Sequence, residues 1–285
     1  MAQEISYIIS FSCPDQMGIT AAASGFLFEQ GFNIVESAQF EDRNTRTFFF
    51  RAVVEAGDNS PNLSNLRAAF QATAKRFKMN WQICDAAYQP KILLMVSKFG
   101  HCLNDLLFRQ SVGGIKMDIV GVVSNHVDHE KMVTSYDVPF HYLPVTRETK
   151  LAQEEKLVEL IEDTGTDLVV LARYMQVFTT DLCNYLSERA INIHHSFLPS
   201  FKGARPYQQA HQRGVKLIGA TAHYVTLDLD EGPIIEQEVA RVTHSTSVDQ
   251  MAATGRDLEN IVLARAVKAH CENRVLLNGD KTVVL

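Results

Sequence analysis

The residues best suited to chemistry lie between Ile191 and Pro233. This stretch opens as Ile191-Asn192-Ile193-His194-His195-Ser196-Phe197-Leu198-Pro199-Ser200-Phe201-Lys202-Gly203 and closes as Leu227-Asp228-Leu229-Asp230-Glu231-Gly232-Pro233. An amide that donates, an imidazole that titrates near neutrality and a carboxylate are what acyl chemistry with water requires. The amide and a charged imidazole can hold a developing oxyanion, while the carboxylate orients the imidazole or takes the proton of water. A single strand-end histidine is more often a packing or surface residue. Two adjacent histidines beside an asparagine, just before a Pro- and Gly-containing loop, make packing and catalysis equally good readings of the residues alone.

Two strands are needed to present these groups. Ala190, Ile191 and Ile193 are apolar, and Pro199 and Gly203 then break the chain, so Asn192, His194 and His195 sit where a strand leaves its sheet. Open α/β sheets place their sites at such ends. A second apolar run, Ile218 to Thr226, leads into the turn built from Asp, Gly and Pro and carries carboxylates at its tip.

The 285 residues suggest two domains, and 46% hydrophobic residues suffice for real cores. Gln89-Pro90 marks the boundary, because Pro90 discourages continuation of the preceding element and a fresh apolar strand starts at Lys91. Before it, the pattern reads as βαββαβ, a ferredoxin-like module. Ile5 to Phe11 is a strand, and Cys13-Pro14-Asp15-Gln16-Met17-Gly18 turns into a helix over Ile19 to Gln30. Strands follow over 33–41 and 45–55, then an amphipathic helix over Leu63 to Phe77 and a strand over Met79 to Ala87. After it, strands at 91–96, 117–123, 140–143 and 167–172 alternate with helices, which predicts an α/β fold with a Rossmann-like, mostly parallel sheet. The C-terminus reads as a helix from about Met251, then an Asn278-Gly279 hairpin.

A net charge of −6 with no Lys/Arg run argues against a nucleic-acid partner. Five widely spaced cysteines without a C-x-x-C pair suggest neither a disulfide framework nor zinc. No apolar run approaches the roughly 18 residues of a membrane span, and the N-terminus lacks the order of a signal peptide. The expectation is a soluble, cytoplasmic protein with no membrane partner. Asn125-His126-Val127-Asp128-His129 invites a metal reading, but a solvated turn is the default there and the chemistry requires no metal, so none is expected.

Asn-Ile-His, one further residue, then Ser-x-Leu-Pro-Ser-Phe-x-Gly, with Ala-x-His-Tyr-Val and Leu-Asp-x-Gly-Pro-Ile-Ile further on, resembles the formyltransferase family that handles 10-formyltetrahydrofolate. The likeness covers Pro90 to Leu285 in outline. It implies Asn192, His194 and Asp230 as the catalytic trio. It also implies the strand end Met175, Gln176 and Val177 as the pteridine site, with Lys202 and Arg205 able to meet the folate's anionic tail. Position 195 is commonly Pro in the glycinamide ribonucleotide branch and is His here. Cys-Pro-Asp-x-x-Gly-Ile before a helix is similar to ACT domains. That resemblance implies a regulatory module over 1–89 and a catalytic domain over 90–285. Asp15, Met17, Gly18 and Ile19 would then form an amino-acid site, for glycine or methionine; a purely dimerising scaffold is the equal alternative.

The turn Ser97-Lys98-Phe99-Gly100-His101-Cys102 stands where the glycinamide ribonucleotide branch resembles a Gly-x-Gly-Ser-Asn phosphate cradle. Phe99, His101 and Cys102 put bulk where bare backbone is needed. Water then remains as acceptor. The resemblance therefore implies a homo-oligomeric hydrolase that releases formate and tetrahydrofolate for purine synthesis and one-carbon balance, with folate as its substrate and no cofactor. A glycinamide ribonucleotide transferase and a non-catalytic amino-acid sensor are the alternatives.

Overall fold

The computed structural model describes residues 5–198 and 206–285. The chain falls into two compact units, residues up to Tyr88 together with Glu272–Leu285, and Gln89–Cys271.

In the first unit, β1 (Ser6–Pro14), β2 (Phe32–Asp42), β3 (Thr47–Ala56) and β4 (Asn80–Asp85) form an antiparallel sheet in the order β2-β3-β1-β4. Central β1 alternates as a strand must: Tyr7, Ile9, Phe11 and Cys13 share the face that meets the helices α1 (Ile19–Glu29) and α2 (Leu63–Phe77). From α2, Leu66, Phe70, Ala74 and Phe77 recur at helical spacing and are all buried. The Phe70 ring packs edge-on against Phe26 and Trp81, each at 5.1 Å between centroids. Asn62 caps α2 by accepting from Asn65 N at 3.0 Å. This βαββαβ order is the ferredoxin-like module expected.

The C-terminal hairpin, β12 (Val275–Asn278) and β13 (Lys281–Val284), turns through Gly279 at φ +62°. Sequence pattern alone runs the second domain to Leu285, but this hairpin groups with the first unit. The reason is polar matching. Asn278 Nδ2 donates to Asp42 Oδ2 at 2.7 Å, Gln82 Nε2 donates to Asn273 Oδ1 at 3.0 Å, and buried Arg51 donates through Nε to Glu272 O at 3.1 Å.

The second unit begins with β5 (Lys91–Val96), whose Ile92-Leu93-Leu94-Met95-Val96 run is wholly buried, as an interior parallel strand requires. The other strands are β6 (Asp118–Ser124), β7 (Phe140–Tyr142), β8 (Leu168–Leu171), β9 (Ala190–His194), β10 (Leu217–Tyr224) and β11 (Ile234–Arg241). They form one sheet in the order β11-β10-β9-β8-β5-β6-β7, parallel from β9 to β7 and antiparallel at β10 and β11. The helices are α3 (His101–Ser111), α4 (Glu130–Thr134), α5 (Lys150–Thr164), α6 (Thr180–Tyr185), α7 (Pro206–Arg213) and the long α8 (Val248–Cys271).

From β5 the chain steps outward first through β6 and β7, then on the other side through β8 and β9. The reversal opens a crevice beyond the carboxyl ends of β5 and β8. Ser97 ties those ends together: its N–H donates to Arg173 O at 3.2 Å, its hydroxyl donates to Asn125 Oδ1 at 2.8 Å, and Met175 N donates to that hydroxyl at 3.0 Å. Among the described residues no helix is long and apolar enough to cross a membrane.

Candidate active site

Strand register assembles the site. Asn192 and His194 are two apart on β9 and so share a face. Antiparallel pairing sets His223 of β10 opposite Asn192 and Thr221 opposite His194. The turn from β10 to β11 then brings Asp230 back to the same side chains. Two backbone features shape that turn. Gly232 leaves no room for a side chain, since a Cβ there would lie 1.8 Å from Tyr224 O. Asp230 is left-handed at φ +59°, a conformation that costs a non-glycine residue on the order of 1–3 kcal/mol and that collects at functional sites. Asp228 is exposed and joins the turn through its carbonyl, which accepts from Thr226 Oγ1 at 3.1 Å.

His194 Nδ1 donates to Asp230 Oδ2 at 3.2 Å, and its Nε2 is buried without a hydrogen-bond partner among the described residues. A buried ring nitrogen left open is costly unless a ligand completes it. Asn192 Nδ2 lies 3.3 Å from His223 Nε2 and 3.5 Å from Asp230 Oδ1. His223 Nδ1 sits 2.8 Å from Tyr224 O; because a carbonyl only accepts, that nitrogen carries a proton, and in the neutral ring Nε2 accepts from Asn192. Both contacts of Asn192 are long, so a developing oxyanion can compete for its amide hydrogens. Burial pushes the Asp230 carboxyl up, but the hydrogen bond from His194, the 3.7 Å contact from His223 Nε2 when that ring is protonated, and the charges both protonated rings carry outweigh it and hold the group well below the usual carboxylate range. Sequence pattern does not single out His223. Its pairing with Asn192 exists only once the β9–β10 register is known.

These groups open on a cavity of about 210 Å³. Met175, Gln176 and Val177, from the segment after β8, line it, and Met175 and Val177 are 57% and 56% exposed, so neither serves core packing. Lys202 and Arg205 lie outside the described residues. In the first unit, Gly18 is left-handed at φ +91° and starts α1 without a side-chain cap, and Asp15 and Met17 are exposed. Ile19, by contrast, is 2% exposed in the core, so only its backbone could meet a ligand.

Behind His194 a second histidine stacks, the His195 ring at 4.7 Å and 27°. Arg173 Nη1 donates to His195 Nδ1 at 3.0 Å. Burial, then the charges of Arg173 and His194, push the His195 imidazole down to about 4. Arg173 is itself left-handed at φ +67°; its Nε lies 3.3 Å from Glu259 Oε2, an ion pair whose N–H is not aimed at the oxygen. Glu259, on α8, is 2% exposed and accepts from His101 Nε2 at 2.8 Å. Burial raises the Glu259 carboxyl, but the His101 hydrogen bond and the Arg173 charge outweigh it, so it stays ionised. His101, Cys102 and Glu259 also lie close enough together to hold a metal. The donor set fits one poorly: the Glu259 oxygen is already engaged by His101 and Arg173, and burial, with the Glu259 charge, pushes the Cys102 thiol well up.

The turn after β5 is closed by His129, a side chain that the sequence pattern leaves in a solvated turn. The His129 ring lies on Gly100, where an added Cβ would be 2.5 Å from Cε1, and His129 Nε2 donates to Lys98 O at 3.2 Å. Phe99 meanwhile places its ring 5.9 Å from the Arg173 guanidinium. The backbone of this turn is thus overlaid by an imidazole.

An α/β sheet that gathers an amide, a His–Asp pair and a cavity at its strand ends defines an enzyme of acyl chemistry. The formyl transferase family model matches residues 90–267 and the ACT domain model residues 7–71. The chain is 49% identical over 286 residues to a formyltetrahydrofolate deformylase from Corynebacterium sp. (strain P-1), covering all of both chains. The crystal structure of formyltetrahydrofolate deformylase from Burkholderia mallei shares 52% identity at a TM-score of 0.94, with 99% of each chain covered. A glycinamide ribonucleotide transformylase from Symbiobacterium toebii aligns with 69% of this chain and 94% of its own, at 28% identity and a TM-score of 0.65. The chain belongs to the formyltetrahydrofolate deformylase family.

Proposed function

We propose that the protein hydrolyses 10-formyltetrahydrofolate to formate and tetrahydrofolate. The observation that carries the reading is His194: Nδ1 tied to an ionised Asp230 and Nε2 left unpartnered among the described residues, beside the loosely held Asn192 amide. Water bound at Asp230 attacks the formyl carbon and gives that carboxylate a proton. The oxyanion that forms takes hydrogen bonds from Asn192 Nδ2 and from protonated His194 Nε2. The C–N10 bond then breaks, its electron pair stays on nitrogen, N10 takes the proton held by Asp230, and the formic acid released gives its remaining acidic proton to solvent to become formate. Water and folate balance this reaction, so no cofactor is invoked. The ring would rest along Met175, Gln176 and Val177, with Lys202 toward the glutamate tail.

Water rather than glycinamide ribonucleotide is the acceptor because the His129 ring covers Gly100 and the bulky Phe99 ring leans toward Arg173. Formate should appear from 10-formyltetrahydrofolate with no acceptor added; faster transfer to glycinamide ribonucleotide than to water would overturn the reading.

Regulation belongs to the ACT unit, where Asp15, Met17, Gly18 and the backbone of Ile19 would take glycine or methionine; the support is the ACT match and the uncapped start of α1. Calorimetry with either amino acid should give binding and a change in turnover, and no heat at millimolar concentration with unchanged turnover would leave a scaffold. A cytoplasmic homo-oligomer completes the proposal. The thiols of Cys13, Cys102, Cys183 and Cys271 are buried and not joined in disulfides, and edge strand β2 exposes Val35 and Phe40. Sedimentation as a monomer would refute the oligomer.

A further inference from the structure

His195 has no part in the steps above, yet the surrounding residues are arranged around it. Arginine only donates, so the 3.0 Å contact from Arg173 Nη1 makes His195 Nδ1 an acceptor and leaves the ring's proton on Nε2. A proton added to Nδ1 would have to displace that guanidinium. Arg173 cannot easily yield, being held from four sides. Its own left-handed backbone fixes its start, its carbonyl accepts from Ser97 N at 3.2 Å, Glu259 Oε2 lies 3.3 Å from Nε, and the Phe99 ring lies over its Cζ. Glu259 is in turn anchored by His101 at 2.8 Å and approached by Tyr207 Oη at 3.5 Å. Tyr207 reaches it because Gly255, one helical turn earlier on α8, has no Cβ; one there would fall 1.8 Å from the phenol oxygen.

Two stacked imidazoles 4.7 Å apart cannot both be charged without a large penalty in a buried site. We propose that His195 is a positioning residue, locked by Arg173, Glu259 and His101 as the neutral Nε2–H tautomer, so that the proton of the stacked pair resides on His194. His194 faces Asp230 on one side, with His223 and Asn192 around that carboxylate, and His195 on the other. Around His195 stand Arg173 and the Tyr207 ring, with Glu259 behind them. Among the described residues, the anion in direct contact with the pair is therefore Asp230, and it lies on the side of His194. Phe99 and His101, two of the three bulky residues at the turn after β5, thereby acquire a second use: one lies against the Arg173 guanidinium and the other anchors its counter-ion.

The inference rests on the hydrolytic reading only for what the His194 proton does. The test is long-range proton–nitrogen NMR on the full-length protein with labelled histidine, His195 being assigned by its absence in His195→Gln. His195 should remain a neutral Nε2–H ring over about pH 5–8, the window in which an ordinary imidazole titrates. In Arg173→Met, which removes both the donor to Nδ1 and the positive charge beside it, His195 should gain a protonation step within that window. The acid limb of the kcat profile should move with it, and kcat should fall by up to about a hundredfold. KM for the folate should change far less. A charged or Nδ1–H His195 in the unaltered protein at neutral pH overturns the proposal even if the variant does not fold, and so does an Arg173→Met protein whose tautomer and pH profile are unchanged. The NMR readout needs no turnover, so failure to release formate would sink the hydrolytic reading separately.

Discussion

Replacing Asp230 by Asn keeps the shape of the side chain and removes its charge and its basicity. The ion pair to His194 spans 3.2 Å, and the Asp230 side chain is 26% exposed. At an effective dielectric of about 20, unit charges at that distance attract by roughly 5 kcal/mol, and partial exposure reduces this to about 3 kcal/mol. A loss of about 3 kcal/mol in holding the charged imidazole is roughly a hundredfold in rate. Losing the acceptor for the proton of water adds up to another factor of about 10². Asp230→Asn should therefore lower kcat by roughly 10²–10⁴ while folate Kd stays within a few-fold. Stopped assays of formate release with a separate binding titration measure both. Asp228→Asn is the control, because that residue is exposed and supports the turn through its backbone carbonyl; it should be nearly silent. Full activity in Asp230→Asn, or a larger loss in Asp228→Asn, would falsify the assignment.

Asn192→Ala removes an oxyanion donor and should cost about 10²–10³ in kcat with little change in folate Kd, measured in the same assays. Gly232→Ala must push the turn off Tyr224 O, so it should lower kcat by about 10² through displacement of Asp230, visible as a loss of rate without loss of secondary structure by circular dichroism. His270, which pairs through Nδ1 with Tyr224 Oη at 2.8 Å, is pushed down to about 4 by burial. Its unfolded value is near 6.5, so between about pH 6.5 and pH 4 the unfolded chain binds a proton that the folded chain refuses, and stability falls as pH is lowered through that window. His270→Gln should flatten that slope by about 1–3 kcal/mol in denaturant titrations at the two ends of the window.

Local pattern carried much of this. The unbroken apolar run Ile92–Val96 reads as an interior strand, and Pro90 before it marks a new beginning. Asn192 and His194 fall on one face by parity alone, and Leu227 to Pro233 had to be a turn. Each of these follows from spacing between near neighbours, which a chain states directly.

What joins distant residues was decided by the fold. His101 and Glu259 are 158 positions apart, and no periodicity links them. His223 enters the site through antiparallel register, and which of Asp228 and Asp230 turns inward depends on a left-handed backbone beside the close Gly232–Tyr224 approach. The C-terminal hairpin, which pattern alone attaches to the catalytic half, goes instead to the unit containing Asp42 and Arg51, because a buried amide and a buried guanidinium must find partners wherever packing offers them. Burial and tautomers behave alike in this respect. They depend on what surrounds a group in space, and the chain order of residues contains that only after folding.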